Sequence, residues 1–412
     1  MNSNETSVEM SGAKLVWTML QEEGVDLAFG VCGITNVPLL HALRQMSGME
    51  FVHATHESAA LGMADGYSRA SGKLAVVVVH STGGLSNTMG NMHNAFAAGS
   101  RILVLVGQTD APLDWSERYM DVNFRPMVSQ VSKGCWMVTR AQDMAVALNR
   151  AIKEASTPPT GPVVLSIPHS IQGRVAKHQW LPSRGRQVAT DIGPSQESLK
   201  RAAQLISGAK SPVIVAGRSV ADADAVSELV SLAETIAAPV YTGNETRLIF
   251  PSNHPLYRGL AFQQSHVLRR LAASADVLLV IGSDIFKHDD PSEVPIVSAD
   301  TRVIQIDLEA RALARFCSTE MALLANPKVA LGALEDAIGR LISGKEHADR
   351  MERLTIEQQQ RQAFVETCLN TDVRAVPIRW GAAFKEIAAA LPQEAVVVDE
   401  LASFYGQLPK VM

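Results

Sequence analysis

Val76-Val77-Val78-Val79 is the stretch that most constrains this chain. Successive side chains of a strand point to opposite faces, so this run is apolar on both. Both faces must then be covered, as they are in a parallel sheet flanked by helices. Val277-Leu278-Leu279-Val280 repeats the signal later in the chain. Further short apolar runs, at Leu27–Val31, Leu74–His80, Arg101–Gly107, Val163–Pro168, Pro212–Gly217, Ala238–Gly243, Val277–Gly282, Arg302–Asp307 and Ala395–Asp399, alternate with Ala- and Leu-rich stretches of helical spacing. The expected class is α/β, with doubly wound parallel sheets and crossover connections.

A chain of 412 residues predicts two or three domains. Residues 172–193 are polar with little periodicity and read as a linker, and residues 345–374, rich in Glu, Gln and Arg, read as a solvated helix and a second linker. The expected domains are 1–172, 193–343 and 375–412. In the last, Ile378–Leu391 predicts an amphipathic helix and Ala395–Asp399 a buried strand. One helix and one parallel strand cannot bury their apolar faces alone. They either add to another domain or begin one whose remainder is missing.

The formal net charge is −5 and aromatics are 5%, which argues against a nucleic-acid partner. No apolar run reaches the ~18–20 residues of a membrane span. The start, Met1 to Glu5, lacks the basic and apolar regions of a secretory signal. Cys32, Cys135, Cys317 and Cys368 form no CxxC pair, so neither a zinc site nor a disulfide framework is expected, and a reducing cytoplasm is the simplest compartment.

Four predicted strand ends carry polar or small residues. Gly30-Val31-Cys32-Gly33 closes the first. After a short strand ending near Thr55, a helix begins near Glu57 and is packed with Ser58, Ala59, Ala60, Gly62, Ala64 and Gly66. A carboxylate in a first turn is favoured by the helix dipole, so Glu57 fits a capping role as well as a ligand role. His80-Ser81-Thr82-Gly83-Gly84 reads as a glycine-rich strand-to-helix turn with exposed N–H groups, and Gly107-Gln108-Thr109-Asp110 closes another strand. Open parallel sheets place ligands at the carboxyl ends of their strands. Glu57, His80 and Gln108 sharing one rim is more specific than any one of these motifs.

These residues resemble the thiamine-diphosphate-dependent decarboxylases and synthases. The first 172 residues resemble the pyrimidine-binding domain through Gly30 and Gly33, the run from His56-Glu57-Ser58 to Asp65-Gly66-Tyr67, the glycine turn leading to Asn87, and Gly107-Gln108. Val277–Gly282 followed by Asp307-Leu308-Glu309 resembles the central, Rossmann-like domain. His80-Ser81, the stretch from Asn253 to Leu260, and Ile285-Phe286-Lys287-His288 resemble benzoylformate decarboxylase in particular, the last one residue shorter than its counterpart.

The resemblance implies thiamine diphosphate as cofactor and a small 2-oxo acid as substrate. Glu57 would bond the aminopyrimidine, His80 and His288 would be catalytic, and Gly33, Asn87 and Gln108 would line the cofactor site. It implies a homodimer or homotetramer. Ile34 stands where that decarboxylase has a serine, which argues for a substrate other than benzoylformate. No Gly-Asp-Gly motif is present, so the Mg²⁺ and diphosphate ligands are expected in an absent third domain, with the chain inactive alone. The alternatives are an acetolactate synthase large-subunit-like protein and a non-catalytic thiamine-diphosphate-binding module. Synthases of that type often carry FAD; here Arg218 and Ser219 follow Gly217 where a flavin diphosphate would want bare backbone, which argues against FAD.

Overall fold

The computed structural model describes residues 7–110, 123–179, 188–243, 247–261, 265–287, 295–369 and 374–398. The chain divides into two compact units, Met1–Thr190 and Asp191–Met412.

The first unit contains β1 (Ser7–Ser11), β2 (Leu27–Gly30), β3 (Glu50–His53), β4 (Ala75–His80), β5 (Ile102–Gln108), β6 (Gly134–Met137), β7 (Val163–Pro168) and β8 (Val175–Gln179). Its helices are α1 (Gly12–Glu22), α2 (Val37–Leu43), α3 (Glu57–Ser71), α4 (Ser81–Asn87), α5 (Met89–Ala98), α6 (Arg125–Val128), α7 (Met144–Ser156) and α8 (His169–Gly173). Six strands form a parallel sheet in the order β3-β2-β4-β5-β7-β6. The winding reverses between β2 and β4. Val76, Val78, Leu103 and Leu105 pack with residues of α1, α2 and α7. Val77, Val79, Val104 and Val106 pack with residues of α3, α4 and α5. The both-face apolarity of the valine run is thereby buried, at about 1.5–3 kcal/mol for each side chain removed from water.

The second unit contains β9 (Pro212–Ala216), β10 (Val240–Thr242), β11 (Tyr257–Leu260), β12 (Val277–Ile281), β13 (Arg302–Asp307) and β14 (Met321–Leu324) in a parallel sheet of order β11-β10-β9-β12-β13-β14. Its helices are α9 (Gln196–Ser207), α10 (Arg218–Asp222), α11 (Val226–Ile236), α12 (Ser265–Ala273), α13 (Pro327–Ile338), α14 (Gly344–Leu369) and α15 (Trp380–Ala390). Ile214, Leu279 and Ile304 pack with α9, α11 and α13, whereas Val213, Leu278 and Val303 pack with α12.

Three expectations are corrected. The stretch 172–193 is not simply a linker: Gln172 is fully buried in α8, and β8 pairs antiparallel with β1, Ser7 opposite Gln179. Its polar residues hid a two-stranded ribbon whose partner lies at the other end of the unit. Ala395–Val398 is neither strand nor buried; Val396 is 90% and Val398 91% exposed. β propensity becomes a strand only where a neighbour supplies ladder partners, and no described strand does so. Asp399 and Glu400 lie outside the described residues. Finally, the strand-to-helix turn expected over His80–Gly84 is shorter than the glycines suggest, because α4 begins at Ser81, directly after β4, and includes both glycines.

Asp307, at the end of β13, is largely buried. It accepts hydrogen bonds from the Glu309 backbone N–H (2.9 Å) and the Ser219 hydroxyl (3.1 Å). Burial nevertheless pushes its pKa up. A carboxyl whose folded pKa is raised stabilises the fold below its ordinary range, and that contribution is lost as pH rises through the raised value. Asp307→Asn keeps the accepting oxygen without the charge. Its stability relative to wild type is expected to increase from acidic to neutral pH in urea unfolding. A difference that does not change with pH would refute the assignment.

Candidate active site

The carboxyl ends of β2 and β4 meet at the point where the sheet's winding reverses, the crevice in which open α/β sheets bind ligands. After β2, the Val31 N–H donates to Val78 O (3.2 Å), carrying the pairing one residue past the strand. The chain then turns through Gly33 and a short 3₁₀ segment, Ile34–Asn36, into α2. Asn36, fully buried, ties this turn together. Its Oδ1 accepts from the Gly33 N–H (2.9 Å) and its Nδ2 donates to Val31 O (3.2 Å).

Opposite stands His80, the last residue of β4. Its Nδ1 is 2.7 Å from the Thr35 hydroxyl, which itself lies 2.6 Å from Gly107 O on β5. Gly33 faces the imidazole: a Cβ built there would fall 2.3 Å from His80 Cγ. Glycine is therefore required for close approach rather than for an unusual backbone angle. Ser81, which turns the strand directly into α4, adopts φ +53° while buried. Such a non-glycine conformation costs on the order of 1–3 kcal/mol and is typical of ligand-clamping turns.

Glu57 opens α3, but it does not cap it. His56 does, with Nδ1 accepting from the Ser58 N–H at 3.2 Å. The Glu57 carboxylate instead reaches α4, where Asn87 Nδ2 donates to Oε2 (2.9 Å). Gly84 leaves room for the other oxygen, because a Cβ there would lie 2.9 Å from Oε1. Glu57 is half-buried, and no described residue donates to its Oε1. Gly84, also buried, presents no side chain toward it.

Of the residues singled out in the sequence, Glu57 and Asn87 are in contact, and Gly33 packs on His80. Gln108 is buried with its amide committed inside the protein: Nε2 donates to the Thr82 hydroxyl (3.2 Å) and Oε1 accepts from the Thr109 N–H (3.2 Å). His288 lies outside the described residues. Ile34 stands on the rim, 74% exposed. Sequence reasoning missed Thr35, Asn36 and Gln172. The only local signal was a polar Thr-Asn pair between apolar neighbours, and Gln172 lay in a presumed linker.

The donor set fits the pyrimidine side of thiamine diphosphate. It offers one carboxylate oxygen held by Asn87 and one, beside Gly84, to which no described residue donates. Among the described residues no group of three or more His, Cys, Asp or Glu could hold a metal ion. None of the described helices is long and apolar enough to cross a membrane.

The family described as thiamine pyrophosphate enzyme, N-terminal TPP binding domain, matches residues 10–121, and its central domain matches residues 199–334. A sulfoacetaldehyde acetyltransferase from Rhodobacter capsulatus is 27% identical over 93% of this chain and 67% of its own length. A benzoylformate decarboxylase from Pseudomonas aeruginosa is 29% identical over 73% of this chain, which spans 57% of that protein. The crystal structure of a benzoylformate decarboxylase from Polynucleobacter necessarius shares the fold, with a TM-score of 0.82 at 23% identity, over 98% of this chain and 72% of that one.

Proposed function

We propose, since this chain belongs to the thiamine pyrophosphate enzyme family, that its first unit provides the pyrimidine-side half of a catalytic centre for 2-oxo acids. The observation that carries the reading is the Glu57 carboxylate, released from helix capping by His56 and held by Asn87 with Oε1 open. Bound thiamine diphosphate supplies an electron sink for the pair left when a 2-oxo acid loses CO₂. Glu57 Oε1 accepts a hydrogen bond from the aminopyrimidine ring and shares its proton. Asn87 orients that carboxylate through Oε2. His80, at the rim, orients the substrate or exchanges a proton with it, and Gln108 holds Thr82 in place beside it. Ile34 presents an alkyl surface where a substrate carboxylate or side chain would approach, which favours an apolar substituent on the 2-oxo acid. His288 and an oligomeric assembly belong to the same proposal, as does Mg²⁺ with the diphosphate.

A second reading concerns the acceptor. The relative that spans 93% of this chain is an acetyltransferase by name, so transfer of the acyl unit to a second substrate is the alternative to releasing it after protonation.

The test is calorimetry of the 412-residue chain with thiamine diphosphate and Mg²⁺. Saturable binding is expected, weakened at least about tenfold by Glu57→Gln, the equivalent of one hydrogen bond to a charged group. Equal affinity in the two proteins would remove Glu57 from the role.

A further inference from the structure

Thr35 sits between two partners that determine where its single hydroxyl proton goes. Gly107 O, 2.6 Å away, is a carbonyl oxygen and can only accept. The hydroxyl therefore donates to it. At the 2.7 Å contact with His80 Nδ1 the same oxygen must then accept, so the proton on that bond is the imidazole's. The Thr35 N–H also approaches Nδ1, but at 3.4 Å. That is beyond the usual range for such a bond and does not compete with a contact 0.7 Å shorter. We infer that Thr35 is a positioning residue that holds neutral His80 as the Nδ1–H tautomer, leaving the Nε2 lone pair as the working atom at the rim.

The hydroxyl is not free to turn away. Gln172, fully buried, spends both amide protons on carbonyls, Thr35 O and Ile167 O, each at 2.8 Å. Flipping the amide would set its oxygen against those two carbonyls, so its orientation is determined, and Oε1 is left buried without a partner. Gln172 thus fixes the Thr35 backbone, Thr35 fixes the Nδ1 proton, and Gly33 presses on the ring. No hydrogen bond from a described residue reaches Nε2. In water a neutral imidazole favours the opposite tautomer, so this network reverses the intrinsic preference. Its chemical consequence rests on the reading above: in its neutral form His80 accepts a proton or a hydrogen bond from a hydroxyl-bearing substrate or product, and does not donate to a carboxylate.

The experiment is NMR of the 412-residue chain containing ¹⁵N-histidine, with His80 assigned by its loss in His80→Gln. At a pH where the ring is neutral, Nδ1 is expected at the pyrrole-type shift and Nε2 at the pyridine-type shift. The ratio of this tautomer to the other is expected to exceed that in Thr35→Val by about tenfold, the factor one net hydrogen bond supports. Thr35→Ser should restore the wild-type ratio. A wild-type spectrum with the proton on Nε2 overturns the inference, whether or not the variants fold, as does a Thr35→Val spectrum like wild type. No cofactor is present in this measurement, so failure of the thiamine diphosphate reading shows in the calorimetry and failure of the tautomer shows here.

Discussion

Arg350→Ala is expected to cost the second unit about 3–5 kcal/mol. Arg350, on α14, is 5% exposed. Its Nη1 donates to Ile236 O (2.9 Å), the last carbonyl of α11, and its Nη2 to Ser207 O (2.9 Å), the last of α9, and to Ala209 O. The final carbonyls of a helix have no intrahelical partner and carry its negative dipole end. One guanidinium answers two such ends. Each charge-assisted bond contributes about 1.5–3 kcal/mol, and truncation leaves buried acceptors unpaired. Partial entry of water keeps the sum below the full total. Arg350→Lys should fall between the two, because an ammonium lacks the planar fork that reaches three carbonyls. Urea unfolding followed by a probe in the second unit measures this. A loss under about 1 kcal/mol would mean that the bonds from Arg350 to these carbonyls contribute little to stability.

Gly107→Ala is the largest effect expected in the first unit. Gly107 lies in the fully buried strand β5. A Cβ there would fall 2.5 Å from Thr35 O, 2.8 Å from Thr35 C and 2.9 Å from Asn36 Cβ. The obstacle is backbone held in turn by Gln172 and Asn36, not the tip of a flexible side chain. Overpacking of this kind costs on the order of 1–3 kcal/mol, and here the upper end is expected. Retreat of Thr35 would also take its hydroxyl from His80, so loss of stability and loss of the Nδ1–H tautomer should appear together. Gly66→Ala is the control. It sits inside α3 with nothing within 4 Å of an added Cβ, and should gain about 0.5–1 kcal/mol from helix propensity. Thermal unfolding of both variants checks the contrast, and a Gly107→Ala protein as stable as wild type would contradict the packing described.

Central strands were legible because their signal is local. Val76–Val79 and Val277–Val280 are apolar on both faces, and only a covered parallel sheet accommodates that. The edge strands β6 and β11 were not. Gly134–Met137 and Tyr257–Leu260 are mostly half-exposed, so no continuous apolar run marks them. Tertiary context also decided that His80 runs straight into a helix through a strained Ser81, since a Gly-Gly pair two residues on placed the strand-to-helix turn later.

The same division holds at the site. The parallel α/β class, the strand ends that share one rim and Glu57 at a helix start were legible in residue order, because hydrophobic period and run length act over a few neighbouring residues. What tertiary structure alone decided is who meets whom. Thr35 contacts His80 across 45 positions, Gly107 across 72 and Gln172 across 137. Nothing local in Thr35 or Gln172 distinguishes them from any loop threonine or surface glutamine. Their roles come into being only when the sheet closes and buries their polar atoms, because a buried donor or acceptor must then find whatever partner the fold has brought beside it.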